Sequence, residues 1–360
     1  MASKKLILVI GATGAQGLAV IDKLLAPSGD GSPSPYAVRA LTRDPNSRRA
    51  KQLTDKGVEC VKGSAFDDLP TVHKALEGVY GAWVNTDGFT VNEMKEVYYG
   101  IRIFELAKQA KTLRHYVWSN LDYGFKKADY NPVYRCEHYD GKGRIADWLK
   151  SQVSEPTDTG MSWTSVTTGP YMDMLNIVTF GPFNVGPDGT HVFATPVGNG
   201  HVPMIALSDL GYFARYTFDH RIETSGKDLE VCSDMVGWDY LVSTFQKVTG
   251  KKAVVLHQSF DEWFANFENP DDPVSNELRG TTEAATATSF RTNFTAWWSL
   301  WRDDIITRDL GWIRSIHPKL HTLESWMREQ GYKGELNKNL LKNHEDGKGI
   351  RVNWKHAATL

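Results

Sequence analysis

Cysteine is scarce in this chain, three residues in 360, and Cys60, Cys136 and Cys232 lie too far apart for a CxxC pair or any metal-ligand spacing. A disulfide scaffold and a structural zinc site are therefore excluded from the expectation, no metal is assigned, and a reducing interior is predicted. An excess of either charge is missing too, since 41 Lys and Arg against 43 Asp and Glu leave a formal net charge of −2. That balance carries no global signal for direct nucleic-acid or anionic-membrane binding, both of which select a basic face. Long apolar runs are absent as well. The first, Leu6 to Ile10, stops on a glycine after five residues, too short for a signal-peptide core or a membrane span. A soluble cytoplasmic protein is the expectation, with the nucleus as a second compartment, and no internal repeat divides the chain.

What is present begins at that short run. Residues 6 to 17 read Leu-Ile-Leu-Val-Ile-Gly-Ala-Thr-Gly-Ala-Gln-Gly, an apolar strand closing on glycines 11, 14 and 17, and then the helical pattern Leu18, Val20, Ile21, Leu24, Leu25. Gly11 permits a sharp turn, Gly14 lets backbone N–H groups approach a pyrophosphate, and Gly17 lets the helix pack against the strand. The whole segment Gly11, Ala12, Thr13, Gly14, Ala15, Gln16, Gly17 is thus assigned to a dinucleotide, its phosphates at a helix N-terminus.

Further strand-like runs follow at Ala37 to Leu41, Val58 to Val61, Gly81 to Asn85, His115 to Ser119 and Ser162 to Thr167, with helical stretches between them. This alternation predicts an α/β fold, a doubly wound parallel sheet, over residues 1–168, with room for strands to return from later residues. The Gly/Ser/Pro-rich link Pro27 to Pro35 reads as a mobile surface insertion. From 169 to 332 the alternation weakens, and a smaller α+β lobe is expected, with helices at Trp238 to Thr249, Asp261 to Asn266, Phe290 to Ile306 and Leu320 to Gln330. Phe294, Trp297, Trp298 and Trp301 share one helical face, which predicts core packing or an aromatic substrate wall. Residues 333–360 are polar and read as a mobile tail or a strap.

An acidic residue is missing after the second strand, where it would bind a ribose 2′-hydroxyl. Arg43 stands there instead and can fork onto a 2′-phosphate, with Arg48 or Arg49 adding charge, so NADP(H) is the predicted cofactor. Ser64 and Ala65 end the third strand beside the expected adenine, whose hydrogen-bond partner is Ser64, Asp67 or none. Asn85, Thr86 and Asp87 end the fourth, beside the nicotinamide ribose. Ser119 ends the fifth and suits orientation of a substrate carbonyl. On the following helix His138, Tyr139 and Lys142 fall within one turn, and a histidine able to donate a proton near neutral pH makes His138 the first candidate acid and Tyr139 the second.

Taken together, Gly-Ala-Thr-Gly-Ala-Gln-Gly at 11 to 17, Leu-Thr-Arg-Asp-Pro at 41 to 45, His-Tyr-Asp-Gly-Lys-Gly at 138 to 143 and Gly-Pro-Tyr-Met-Asp at 169 to 173 resemble the NmrA-like family of atypical short-chain dehydrogenase/reductases. Val202-Pro203-Met204-Ile205 and Ser208-Asp209-Leu210-Gly211 resemble the family's return to the core. The resemblance implies a Rossmann domain preferring NADP(H), with Lys142 at the family's cofactor-contacting lysine and Tyr171, Met172, Asp173 and Met174 near the nicotinamide. The tyrosine that short-chain reductases place four residues before the lysine is replaced by His138, and Tyr98 stands where some family sensors carry a basic residue.

Two functions fit. The first is an NADP(H)-dependent oxidoreductase that reduces a carbonyl or imine of a small to medium organic substrate, possible in secondary metabolism, with Lys142, Ser119 and His138 or Tyr139 as its machinery. The second is a redox sensor and negative regulator that acts through a protein partner or homodimer without catalysis. A closed, dry pocket beside the nicotinamide distinguishes the first from the second.

Overall fold

A computed structural model describes residues 3–337 and 339–360. Five apolar residues in succession cannot alternate between core and solvent, so the first strand must be covered on both faces. In β1 (Lys5–Ile10) the residues Ile7 to Ile10 are indeed buried. The chain then winds through α1 (Ala15–Leu25), β2 (Tyr36–Thr42), α2 (Arg48–Asp55), β3 (Glu59–Lys62), α3 (Leu69–Leu76), β4 (Gly81–Val84), α4 (Glu93–Gln109) and β5 (His115–Leu121). A short α5 (Gly124–Lys127), α6 (Glu137–Leu149) and β6 (Ser162–Thr168) complete the first six strands.

After two short strands, β7 (Asn184–Val185) and β8 (His191–Thr195), and β9 (Val202–Met204), the chain returns to the sheet. There α7 (Leu207–Asp219) packs on α1, and α8 (Arg221–Thr224) leads into β10 (Lys227–Glu230), which pairs parallel with β6. The sheet has seven strands in the order β10-β6-β5-β4-β1-β2-β3. A cut at residue 168 therefore separates the first six strands from the rest, but not the sheet from the lobe. The order reverses between β1 and β4, whose ends lie side by side with Ile10 opposite Val84. A crevice opens beyond strand ends at such a switch point.

Next come β11 (Asp234–Val236), α9 (Trp238–Thr249), β12 (Ala253–His257), α10 (Phe260–Phe264), α11 (Phe290–Arg302), α12 (Leu310–Ile316) and α13 (Leu323–Gln330); all but α12, whose Ile313 joins the sheet-side core, build a lobe on that crevice. Its core includes Trp238, Trp263, Trp298, Trp301 and Trp326, all at most 1% exposed. The expected aromatic stripe on α11 thus divides, because Trp298 and Trp301 pack inward while Phe294 and Trp297 border a cavity. That helix stops at Arg302 rather than Ile306, where Asp304 turns the backbone to φ 47°. Helix α10 begins one residue early because Ser259 and Glu262 form a capping box. Helix α12 was not anticipated, although Leu310, Ile313 and Ile316 recur three residues apart and pack together on the sheet-side core.

The link Pro27 to Pro35 is on the surface but tied down: Arg215 donates to the carbonyls of Lys23, Ala26 and Pro27. Residues after 333 take the form of a strap. The Asn337 amide donates to the Asn176 carbonyl at 2.7 Å, Glu268 and Asn353 tie the strap to the lobe, and Ala357 is fully buried. Among the described residues no helix is long and apolar enough to cross a membrane.

Candidate functional site

The glycine turn is shaped by close approach. Gly11 sits at φ 79°, and a Cβ there would fall 2.7 Å from the Asn85 carbonyl oxygen at the end of β4. At Gly17 a Cβ would lie 2.2 Å from the Gly11 oxygen, so that glycine serves packing of α1 onto β1. Gly14 caps α1 with no side-chain acceptor, and its amide closes the turn on the Gly11 carbonyl at 3.0 Å. The first N–H groups of α1 accordingly face a cavity of about 400 Å³ rather than a capping side chain. Gly11, Thr13, Gly14, Ala15 and Gln16 line it, while Ala12 is buried behind them and Gly17 lies beneath the turn.

On one side of the turn the cavity runs to Arg43, Ser64 and Ala65. Arg43 is exposed and has no carboxylate partner among the described residues. Arg48 and Arg49, expected to add charge beside it, are held elsewhere: Glu345 of the strap accepts from Arg48 Nη2 at 2.8 Å and from Arg49 Nε at 2.7 Å. Arg49 also donates to the Thr13 carbonyl at 3.0 Å and to that of Asn339 at 2.6 Å, joining the strap to the glycine turn. Ser64 Oγ accepts the Phe66 amide, and Asp67 accepts the Tyr99 hydroxyl.

On the other side stand Asn85, Thr86, Asp87 and Lys142. Lys142 Nζ donates to the Thr86 carbonyl at 2.9 Å, to Asn85 Oδ1 at 3.1 Å and to Thr86 Oγ1 at 3.2 Å, with Glu96 Oε1 at 3.4 Å. Glu96 is fully buried and accepts from the Thr86 hydroxyl at 2.7 Å. Burial pushes the Glu96 carboxyl up and the Lys142 ammonium down, each offset in part by the other. Sequence reading passed over Glu96, although its signal was there. It falls on the buried face of α4 in step with Gly100, Ile103, Phe104 and Ala107, where a lone acid needs a partner. Tyr98 is 54% exposed and packs edge-on to Tyr99.

The candidate catalytic groups separate. Ser119 does not line the cavity, because its hydroxyl donates to Gln16 Oε1 at 2.7 Å. Tyr139 lines it and packs against Trp297 and Trp301; burial holds its phenol protonated, well above the usual tyrosine range. His138 lines it too, but the expectation of a near-neutral acid is corrected. Burial, the largest influence, pulls its imidazole down to about 3, so the ring is neutral throughout the physiological range. Its environment is a cluster of rings, with Phe89 at 4.6 Å and Phe294 at 5.4 Å between centroids and those two 6.1 Å from each other. Of the four residues after Pro170, Tyr171 and Met174 border the cavity, Met172 is in the lobe core, and Asp173 turns away to accept the Leu207 amide at 3.1 Å.

Among the lining residues not anticipated are Phe89, Asn276 and Arg279, Leu341 to His344, and Lys348 to Ile350. They come from single helical turns and short loops, too brief for a local period to mark them. Asn343 Nδ2 donates to Asp87 Oδ2 at 3.2 Å, placing the strap within reach of the end of β4.

Comparison with known proteins agrees with this layout. By sequence the chain is similar to the NmrA-like family domain-containing oxidoreductase hkm9 of Aspergillus hancockii, 28% identical over 297 residues that span 78% of this chain and 84% of the relative. It is similar also to oxidoreductase malD of Malbranchea aurantiaca, 26% identical over 270 residues, covering 69% and 74%. By fold it is similar to NmrA, a negative transcriptional regulator solved in complex with NADP, with a TM-score of 0.69 at 16% identity over 98% of this chain and 100% of that one. Citrobacter sp. triphenylmethane reductase, solved with NADP(H), gives 0.62 at 18% identity over 91% and 99%. The family's own pattern matches residues 3–291, which takes in the sheet, the glycine turn, Lys142 and most of the lobe, and the chain therefore belongs to the NmrA-like family.

Proposed function

We propose that this protein is an NADP(H)-dependent oxidoreductase that reduces a carbonyl or imine carried by an aromatic or otherwise apolar organic molecule of small to medium size. The observation that carries the reading is the continuity of one cavity, from the uncapped N-terminus of α1 to a wall of Phe89, His138, Tyr139, Phe290, Phe294 and Trp297. A dinucleotide fits the first end, because N–H groups without a side-chain acceptor favour phosphate and Arg43 offers a guanidinium for a 2′-phosphate. An apolar substrate fits the second, where rings exclude water from the reacting centre. The names of the curated relatives, oxidoreductases at modest identity, support the same conclusion.

In this reading Gly11 to Gln16 receive the pyrophosphate, Ser64 and Ala65 flank the adenine, and Asn85, Thr86, Asp87 and Lys142 hold the nicotinamide ribose, with Tyr171 and Met174 beside the ring. The cofactor supplies the hydride when bound. Lys142, anchored by Thr86 and Glu96, orients its neighbours as a fixed charge, and Tyr139 gives a proton to the reduced heteroatom before water restores it. The test is to follow the absorbance of NADPH with a panel of aromatic ketones and imines. Consumption of cofactor with formation of reduced product is expected. Bound but unconsumed NADPH across the panel, together with cofactor-dependent binding to a protein partner, would replace this reading with that of a sensor.

A further inference from the structure

We propose that Asn293 is a positioning residue that fixes His138 in the tautomer with its proton on Nε2, and that this Nε2–H holds and polarises the substrate's carbonyl oxygen or imine nitrogen. The inference rests on the oxidoreductase reading for its second half only. Asn293 comes from α11, 155 residues after His138, and is fully buried. The orientation of its amide is settled by the backbone, since the Glu137 N–H donates to Asn293 Oδ1 at 2.9 Å. The Nδ2 group therefore faces His138 Nδ1, also at 2.9 Å. An amide nitrogen only donates, so Nδ1 must offer its lone pair and the ring's single proton must be on Nε2.

The remaining neighbours agree. Cys136 Sγ is 3.3 Å from the same Nδ1, and burial keeps it a thiol, a second weak donor to that lone pair. Phe89, Phe294 and Tyr139 crowd the ring and hinder the imidazole from turning over. No acceptor among the described residues faces Nε2, although the ring borders the cavity. The Nε2–H is instead open to the cavity and available to an acceptor there. A carbonyl or imine supplies that acceptor.

His138 keeps its proton through the reaction. Hydride adds to the electrophilic carbon, the C=O or C=N pair moves to the heteroatom, and Tyr139 neutralises it, while the Nε2–H bond strengthens as negative charge develops. A neutral imidazole suits this role better than an acid would, because a donor that stays put needs no recharging between turnovers.

Long-range proton–nitrogen correlation NMR on the full-length protein reads the tautomer directly. The expected wild-type pattern is Nε2–H at neutral pH, and Asn293→Asp, which accepts from Nδ1, should move the proton to Nδ1. His138→Leu should lower kcat by about 100-fold with NADPH affinity unchanged, the scale of losing one donor to a developing charge. His138→Gln, which can present an amide N–H, should recover at least tenfold of that loss. Should Asn293→Asp fail to fold, the wild-type spectrum and the two His138 variants still decide. An Nδ1–H or doubly protonated ring in an active wild type overturns the tautomer assignment, and undiminished turnover in His138→Leu overturns the substrate role. An Nε2–H ring in a protein that consumes no NADPH overturns the substrate role together with the oxidoreductase reading, and leaves the positioning by Asn293 standing.

Discussion

Replacing Arg43 by alanine should separate NADPH from NADH, and the structure says by how much. The guanidinium is exposed on the cavity wall and has no carboxylate partner among the described residues, so its removal orphans no buried group. Nor can its neighbours stand in. Arg48 and Arg49 are both held by Glu345, and Arg49 also serves the carbonyls of Thr13 and Asn339. The loss is then that of a charge-assisted hydrogen-bond pair to the 2′-phosphate, about 1.5–3 kcal/mol, or roughly 10- to 150-fold in affinity. Physiological salt should bring the value toward the lower end, because the site is open to counterions. Calorimetric titration of Arg43→Ala with each cofactor checks this, with NADH affinity expected within about twofold of wild type. Equal losses for the two cofactors would refute the assignment of the 2′-phosphate to Arg43.

Other consequences follow from single contacts. Gly14→Val should leave a folded protein that binds neither cofactor, because a Cβ there meets only the Gly11 oxygen at 3.3 Å and otherwise projects at the phosphate site; retained affinity would contradict the turn's role. Gly17→Val should instead lower the melting temperature sharply, since its Cβ would collide with the Gly11 oxygen at 2.2 Å. Lys142→Met alone should destabilise the fold, by an order of 3 kcal/mol or more, through the stranded Glu96, and adding Glu96→Gln should recover stability without recovering turnover, as read by denaturant unfolding and NADPH oxidation. His321 is raised to about 9, chiefly by its bond to Asp209 and then by Glu329. Because the folded value lies above the unfolded one, its stabilisation is complete below about pH 6.5 and is lost as pH rises through about 9. Allowing for screening around the exposed Glu329, about 1–2 kcal/mol should disappear over that window, and His321→Asn should remove the dependence in pH-resolved unfolding.

The parts of this molecule that were legible in the sequence are those whose cause is local. A continuous apolar run, glycines where the backbone must turn or approach, and alternating strand and helix patterns state the sheet and its glycine turn within a few residues of their positions. The place of Arg43 on the cavity wall was readable for the same reason, since it stands at a strand end. His138 was visible as a candidate but its state was not, because the burial that neutralises it and the amide that orients it come from α11, 155 residues further on. Ser119 was misjudged by the same distance effect, since Gln16 claims its hydroxyl across the sheet. The strap is polar and aperiodic, so its place beside the glycine turn depends on ion pairs with Arg48 and Arg49 that no local pattern announces.

The measurement that bears most directly on the central claim is transfer of label from NADPH carrying deuterium at the reactive carbon of its nicotinamide. Incubated with the protein and aromatic ketones or imines, one face of the labelled cofactor should deliver a single deuterium to the product carbon, detected by mass spectrometry, with one NADPH consumed per product. Saturated binding of NADPH with no deuterium in any product, and the cofactor recovered intact, would contradict the account.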